Sequence, residues 1–302
     1  MPQIRARAGP LPFGCFVCLL LSLVVLVGGM TRLTDSGLSI TEWKPVTGTI
    51  PPFSAMAWQQ EFAKYQQIPE YRLINPDMTL DGFKTIFWWE WAHRFLARLS
   101  GLAFMMPFIW FLAQGVLTWR EAPKFLLLFV LGGAQGVLGW YMVKSGLSIR
   151  VDVSQYRLAA HLGLAFVVYG YALWTGLDYW RRPRASPGLI EPEGSIRPVK
   201  TALFFKRLSS FFRLTGSQKR FHLDEGCSNG AQSLPAWPQM ISLALCALIY
   251  LQVILGALVA GLDAGRTYND WPLMDGYWAP PGLLMLTPWP VNLFENIILV
   301  QV

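Results

Sequence analysis

Ile86-Phe87-Trp88-Trp89-Glu90-Trp91-Ala92-His93-Arg94 opens a run of apolar residues that continues to about position 112. A helix needs ~20 such residues, at ~1.5 Å each, to cross the hydrocarbon layer of a bilayer. The run meets that length, yet its mouth holds a glutamate, a histidine and an arginine. Ionisable groups in hydrocarbon are costly, so a functional role is the default reading. Another apolar run contains Arg157-Leu158-Ala159-Ala160-His161-Leu162-Gly163. The chain has three histidines, and two of them fall inside membrane spans. The third, His222, reads as a solvated loop residue.

The bulk numbers agree with a membrane protein. The 302 residues are 53% hydrophobic and 14% charged, with a mean hydropathy of +0.37; a soluble domain of this size needs more polar surface. Full spans are expected at 13–33, 86–112, 124–143, 158–179 and 239–262, with a sixth starting near 291. The fold class is an all-α polytopic membrane protein. Arg5 and Arg7 precede the first span, and loop 181–237 carries ten Lys and Arg residues of a chain with net charge +7. Positive residues beside spans mark the inner side. Segments 34–85, 144–157 and 263–290 are then outside. Nucleic acid is not expected as a partner, because anionic lipid headgroups account for a basic juxtamembrane loop. The first 30 residues resemble a signal peptide, but no small-x-small cleavage site stands out, and the span reads as a retained helix. None of Cys15, Cys18, Cys227 and Cys246 falls in an outer loop, so no outer disulfide is expected.

The sequence also repeats itself. Gly28, Asp35, Gly37 and Trp43 recur as Gly256, Asp263, Gly265 and Trp271, at one offset of 228 residues, with Glu42 matching Asp270. Duplication of this kind builds many membrane bundles. The expected organisation is a four-helix bundle over 1–180 with an outer loop at 34–85, a basic inner loop at 181–237, and the start of a second four-helix bundle at 238–302. Phe294-x-x-Ile297 resembles Phe83-x-x-Ile86, so the counterpart of His93 would fall near position 304. The second bundle is therefore expected to be incomplete and the chain to be a truncated form. In the outer loop, Trp58, Phe62 and Tyr65 share one face of a short amphipathic helix. Thr79 is placed to cap the second span, with Asp81 in its first turn. Gly132 and Gly136 would permit close helix packing.

His93 and His161 lie roughly 10 Å and 5 Å below the outer ends of their spans. Two imidazoles at similar depth suit the two faces of one haem iron; a pair of hydrogen-bonded packing histidines is the plainer alternative. Glu90 and His93 share a helix face, and Arg94 follows Glu90 by four. That spacing fits an interfacial ion pair. It also fits a carboxylate that stabilises charge or relays a proton beside a ligand. Arg32, Arg94, Arg98 and Arg157 are candidates for gripping haem propionates. Trp88, Trp89 and Trp91 suit an interfacial belt or haem-stacking walls.

These residues resemble those of the haem A synthase family. The resemblance is carried by Gly28-Gly29-Met30-Thr31-Arg32-Leu33-Thr34-Asp35-Ser36-Gly37-Leu38-Ser39, Glu42-Trp43, Pro69-Glu70-Tyr71, Glu90-x-x-His93-Arg94, Gly132-Gly133-x-Gln135-Gly136 and His161. It continues through 256–265, Asn269-Asp270-Trp271-Pro272 and Asn292-Leu293-x-Glu295-Asn296. The long outer loop without cysteines resembles the mitochondrial and proteobacterial branch. The resemblance implies a pseudosymmetric pair of four-helix bundles that oxidises the C8 methyl of haem O to a formyl group, giving haem A for cytochrome oxidase. It implies haem O as substrate at His93 and His161, with Glu90 as the catalytic carboxylate. Arg94 and Arg98 are expected beside that haem. The haem b of full-length members would use histidines beyond position 302, so this chain is expected to be inactive alone. Expected partners are haem O synthase, cytochrome oxidase assembly factors, the lipid bilayer and further copies of the chain as a homo-oligomer. The expected location is the bacterial cytoplasmic or the mitochondrial inner membrane. The rival readings are a bis-histidine membrane cytochrome b that only carries electrons, and a transporter with a histidine relay.

Overall fold

The computed structural model describes residues 11–147, 152–180, 237–270 and 272–301. Expectations for loop 181–236, His222, Cys227 and Trp271 lie outside them. The chain divides into two compact units, one of Met1–Arg181 with Leu245–Val302 and one of Arg182–Ala244. Of the second unit the described part is 237–244, the first turns of a membrane helix. The described residues are helical, without a strand.

Among the described residues five helices are long and apolar enough to cross a membrane: α1 (Leu11–Leu33), α4 (Leu80–Ala113), α5 (Ala122–Gly146), α6 (Gln155–Trp180) and α7 (Trp237–Gly261). They match the five expected spans. Two short helices, α2 (Ala55–Tyr65) and α3 (Pro69–Leu73), lie in the outer loop. In place of a continuous sixth span come α8 (Asn292–Glu295) and α9 (Ile297–Gln301), separated at Asn296. Asn296 is extended there, and its carboxamide oxygen accepts from the Ile298 and Leu299 amides, capping the helix that follows.

Helix α1 packs on α4 and α6, and α5 packs on α6 and α4, closing a ring of four helices. Two packed layers fill it. The inner layer joins Val17 and Cys18 of α1, Phe104 and Phe108 of α4, Phe125 and Leu128 of α5, and Val168 and Ala172 of α6. The outer layer joins Leu38, Tyr65, Ile68, Phe83, Ile86 and Phe87. His93 lies on α4 between these layers, after Phe87 and before Phe104. The large hydrophobic side chains that remain exposed, such as Leu19, Leu26, Met106, Ile109 and Val130, face the lipid that would surround such a bundle.

Helix α4 begins six residues before the expected membrane boundary, and the outer loop explains why. Trp58 of α2 meets Phe83, Phe87 and Trp88 of α4, with ring centroids at 6.5, 5.0 and 5.8 Å. Tyr65 and Phe62 stack on Phe83 at 5.2 Å each. The expected Trp58–Phe62–Tyr65 face thus sheathes the protruding first turns of α4. Ser54 caps α2 by accepting from the Ala57 amide, and Thr79 caps α4 by accepting from the Gly82 amide, as its position in the sequence implies.

The repeat is visible in the backbone. Asp35 and Asp263 both adopt the left-handed conformation, each with φ of 51°, a region where Asp is enriched among non-glycine residues. Three backbone hydrogen bonds recur at the same offset: Thr34 to Met30 with Leu262 to Leu258, Asp35 to Arg32 with Asp263 to Ala260, and Ser39 to Ser36 with Thr267 to Ala264. Ser36 and Ala264 are each fully buried. The two turns meet through Arg32, which donates to Asp35, to Asp263 and to the Ala260 carbonyl.

Gly132 and Gly136 differ from expectation. No atom lies within 4 Å of a Cβ built on either, because α5 meets α6 along another face. Close approaches between helices fall instead at Gly261 against Gln155, Gly163 against Ile254, Gly28 against His93 and Gly139 against His161.

Candidate functional site

Glu90 sits one turn below the sheathed part of α4 and is 2% exposed. A buried carboxylate needs donors, and the outer loop supplies them. Ser39 Oγ donates to Oε2 at 2.8 Å and the Ile40 amide donates to the same oxygen at 2.6 Å. Arg94, one turn further along α4, donates to Oε1. Both carboxylate oxygens are thereby engaged. Arg94 also reaches the carbonyls of Ile40, at 3.0 Å, and Glu42, at 3.4 Å. Arg98 donates to the carbonyls of Lys44, at 3.1 Å, and Gly48, at 3.4 Å. A ladder of ionised residues on α4 therefore pins segment 39–48 over the helix.

His93 faces α1. A Cβ on Gly28 would stand 3.0 Å from its Nε2, so only glycine leaves the ring its place. His161 faces α5 in the same manner, where a Cβ on Gly139 would stand 3.0 Å from Cε1. Gln135 fixes the helix beneath it, donating to the His161 carbonyl at 2.9 Å. Neither imidazole has a hydrogen-bond partner among the described residues, and His161 Nδ1 is a buried nitrogen without one. Buried polar atoms are normally paired. An orphaned imidazole nitrogen beside a second imidazole fits a ligand that coordinates, and a haem iron takes imidazole on either face. Among the described residues no group of three or more His, Cys, Asp and Glu is placed to hold a bare metal ion. A two-imidazole donor set suits iron whose other ligands come from a macrocycle.

The structure thus brings Glu90, His93, Arg94 and Arg98 together on α4 and sets His161 across the bundle. It divides the arginines. Arg32 is committed to the two aspartate turns. Arg157 stacks over Tyr141, 4.4 Å from the ring centroid. A guanidinium has five N–H donors; the hydrogen bonds of Arg98 to the loop involve two nitrogens and those of Arg94 likewise two, so donors remain on both. Trp91 stacks on Phe95 at 4.9 Å, and its buried indole nitrogen also lacks a partner.

Glu70 is a second buried carboxyl, on α3, 6% exposed and hydrogen-bonded by Tyr65 OH at 3.1 Å. Burial pushes it up to about 8, against the Tyr65 hydrogen bond; negative Glu90, Asp152 and Asp35 add to the rise. Glu42 is the contrary case at the loop surface, where hydrogen bonds from Lys44 and Lys64 hold its carboxyl below the ordinary value. Glu90 stands out in the sequence, whereas the Ser39 hydroxyl and the Ile40 amide that hold it do not. Those partners lie about fifty residues away, and no local period announces them.

A family model described as cytochrome oxidase assembly protein, COX15-CtaA, matches residues 13–209 and 208–302. The haem A synthase of Parvibaculum lavamentivorans is 47% identical over 285 residues, covering 94% of this chain and 69% of that protein. The haem A synthase of Nitrosospira multiformis is 42% identical over 293 residues, covering 97% of this chain and 70% of that protein. That of Nitrosomonas eutropha is 43% identical, covering 94% and 68%. No solved structure matches the chain.

Proposed function

The chain belongs to the COX15-CtaA family of cytochrome oxidase assembly proteins, whose similar members are haem A synthases, and from that premise we propose that it oxidises haem O to haem A. The reaction would be two successive two-electron hydroxylations of the C8 methyl, each requiring an external oxidant, with loss of water from the resulting gem-diol leaving the formyl group. The observation that carries this reading is the pair of part-buried imidazoles, His93 and His161, one with an orphaned buried nitrogen. They would hold the haem between α4 and α6, the haem iron supplying the oxidative chemistry. Glu90 would set a fixed negative charge beside the haem edge, or relay a proton there. Arg94 and Arg98, through the donors the loop leaves free, would border the propionates. An apolar ring of helices suits a farnesylated macrocycle. The proposed domain plan is a first bundle over 1–180, a basic loop over 181–237 and the start of a second bundle over 238–302. Haem b in full-length members, partners among cytochrome oxidase assembly factors and a homo-oligomeric state belong to the same proposal.

The chain is a multi-pass protein of the cytoplasmic membrane, as its five apolar helices and bacterial relatives indicate. A test is to produce it in a host that makes haem O and to identify the extracted haems by chromatography and mass. Haem O or its hydroxylated products are expected on the protein, and His93→Ala and His161→Ala should each abolish the low-spin bis-imidazole spectrum. Intact low-spin spectra in both variants would overturn the clamp. One observation favours a second reading, an electron-carrying cytochrome b: both oxygens of Glu90 are already engaged. Haem b as the only extracted haem would select it.

A further inference from the structure

The segment after the first aspartate turn and the segment after the second are gripped alike, by unlike side chains. Ile40 and Tyr268 occupy equivalent positions, 228 residues apart. The Ile40 amide donates to Glu90 Oε2 at 2.6 Å, and its carbonyl accepts from Arg94 at 3.0 Å. The Tyr268 amide donates to Gln301 Oε1 at 3.1 Å, and its carbonyl accepts from Gln301 Nε2 at 2.7 Å. Glu90 follows Phe83 by seven residues, and Gln301 follows Phe294 by seven. Each grip closes on both polar groups of one backbone residue. The first uses a carboxylate and a guanidinium; the second uses a single neutral amide.

We infer that Gln301 is the positional counterpart of Glu90, that both are straps fixing the segment after an Asp-x-Gly turn to the helix below it, and that the strap requires no charge. An amide supplies the acceptor for the amide N–H and its own donor for the carbonyl. It does so without the counter-cation that a buried carboxylate demands. The negative charge at Glu90 is therefore surplus to the strap and belongs to the chemistry of the first site, while Gln301 is a positioning residue that gives the second turn the same geometry in neutral form. The part that assigns the surplus charge to chemistry rests on the haem-oxidising reading above.

Hydrogen exchange of the Ile40 and Tyr268 amides in the purified full chain separates the two. Glu90→Gln should keep Ile40 protected to within about twofold, since the amide oxygen replaces the carboxylate oxygen. Glu90→Ala should speed exchange at Ile40 roughly tenfold, as for loss of one hydrogen bond, and leave Tyr268 unchanged. Gln301→Ala should speed Tyr268 by a similar factor and leave Ile40 unchanged. Gln301→Glu keeps an acceptor but loses the donor, so protection at Tyr268 should fall between wild type and Gln301→Ala. Equal loss at Ile40 in Glu90→Gln and Glu90→Ala would overturn the inference, as would an unchanged Tyr268 in Gln301→Ala. Haem product output is read in parallel. Haem b alone, or no haem, on the wild-type chain would remove the haem O reading, while the exchange pattern would still decide for or against the strap.

Discussion

The outer and inner ends of the four-helix ring are held by different physics. At the inner end, phenylalanines 104, 108, 125 and 129 stack at centroid distances of 5.3 to 6.4 Å. The polar additions there are modest: Lys124 pairs with Asp178 at 2.9 Å, and Tyr171 donates to the Lys124 carbonyl. At the outer end a buried carboxylate, two arginines and a stretch of loop backbone satisfy one another, and a second carboxyl, Glu70, lies close by. Packing alone is enough to hold helices together in lipid. Polar machinery that a bilayer protein does not need for cohesion, gathered at one end, makes that end the candidate site.

The sharpest way to break this contrast is Arg94→Ala. It leaves Glu90 buried without its counter-ion, and about 3–5 kcal/mol of stability should be lost, read as a lower thermal midpoint in detergent. A loss no larger than that of an exposed ion pair would mean that the outer end is not special. Phe108→Ala tests the inner end. A cavity there should cost about 3 kcal/mol while leaving the spectrum of any bound haem unaltered; a changed haem spectrum would show that the two ends are not separable. Glu70 offers a test by pH. In the folded chain it ionises near 8 against an ordinary 4.5, so between those values the folded state holds a proton that the unfolded chain has released. Stability should therefore fall as pH rises through that window and level off above it, by on the order of a few kcal/mol. Glu70→Gln should flatten the slope in a thermal melt series from pH 5 to 9. The smallest effect is expected from Lys124→Met, which breaks a part-exposed pair worth about 0–1 kcal/mol.

Much of this architecture was legible in the sequence, for reasons that differ by element. The five spans follow from hydropathy, which depends only on neighbouring residues. The α2 face follows from helical period, and Thr79 from capping chemistry. The 228-residue repeat announced that the two span ends are copies, and left unannounced that Asp35 and Asp263 turn left-handed. His93, His161 and Glu90 stood out because ionisable groups are rare in apolar spans. Their surroundings did not stand out. Ser39, Ile40 and Gln301 act through contacts between distant segments or through backbone atoms that every residue carries. Gly132 and Gly136 form a packing motif by spacing, yet which face of α5 meets a neighbour is set by the ring and not by α5 itself. The turns of α4 above Ile86 are too polar to count as span in hydropathy; Thr79 and Asp81 announce them as helix, and α2 covers them.

The link from Arg32 to the second turn has a consequence in time. Its partners Ala260 and Asp263 lie 228 and 231 residues downstream. At roughly 5–20 residues per second of synthesis, the ribosome delivers them about 10–50 seconds after Arg32 itself. Through that interval Asp35, three residues on and 2.9 Å away in the finished protein, is the anion at hand. The first turn thus carries its own temporary neutraliser, and the two copies of the turn close on each other only when α7 has been made.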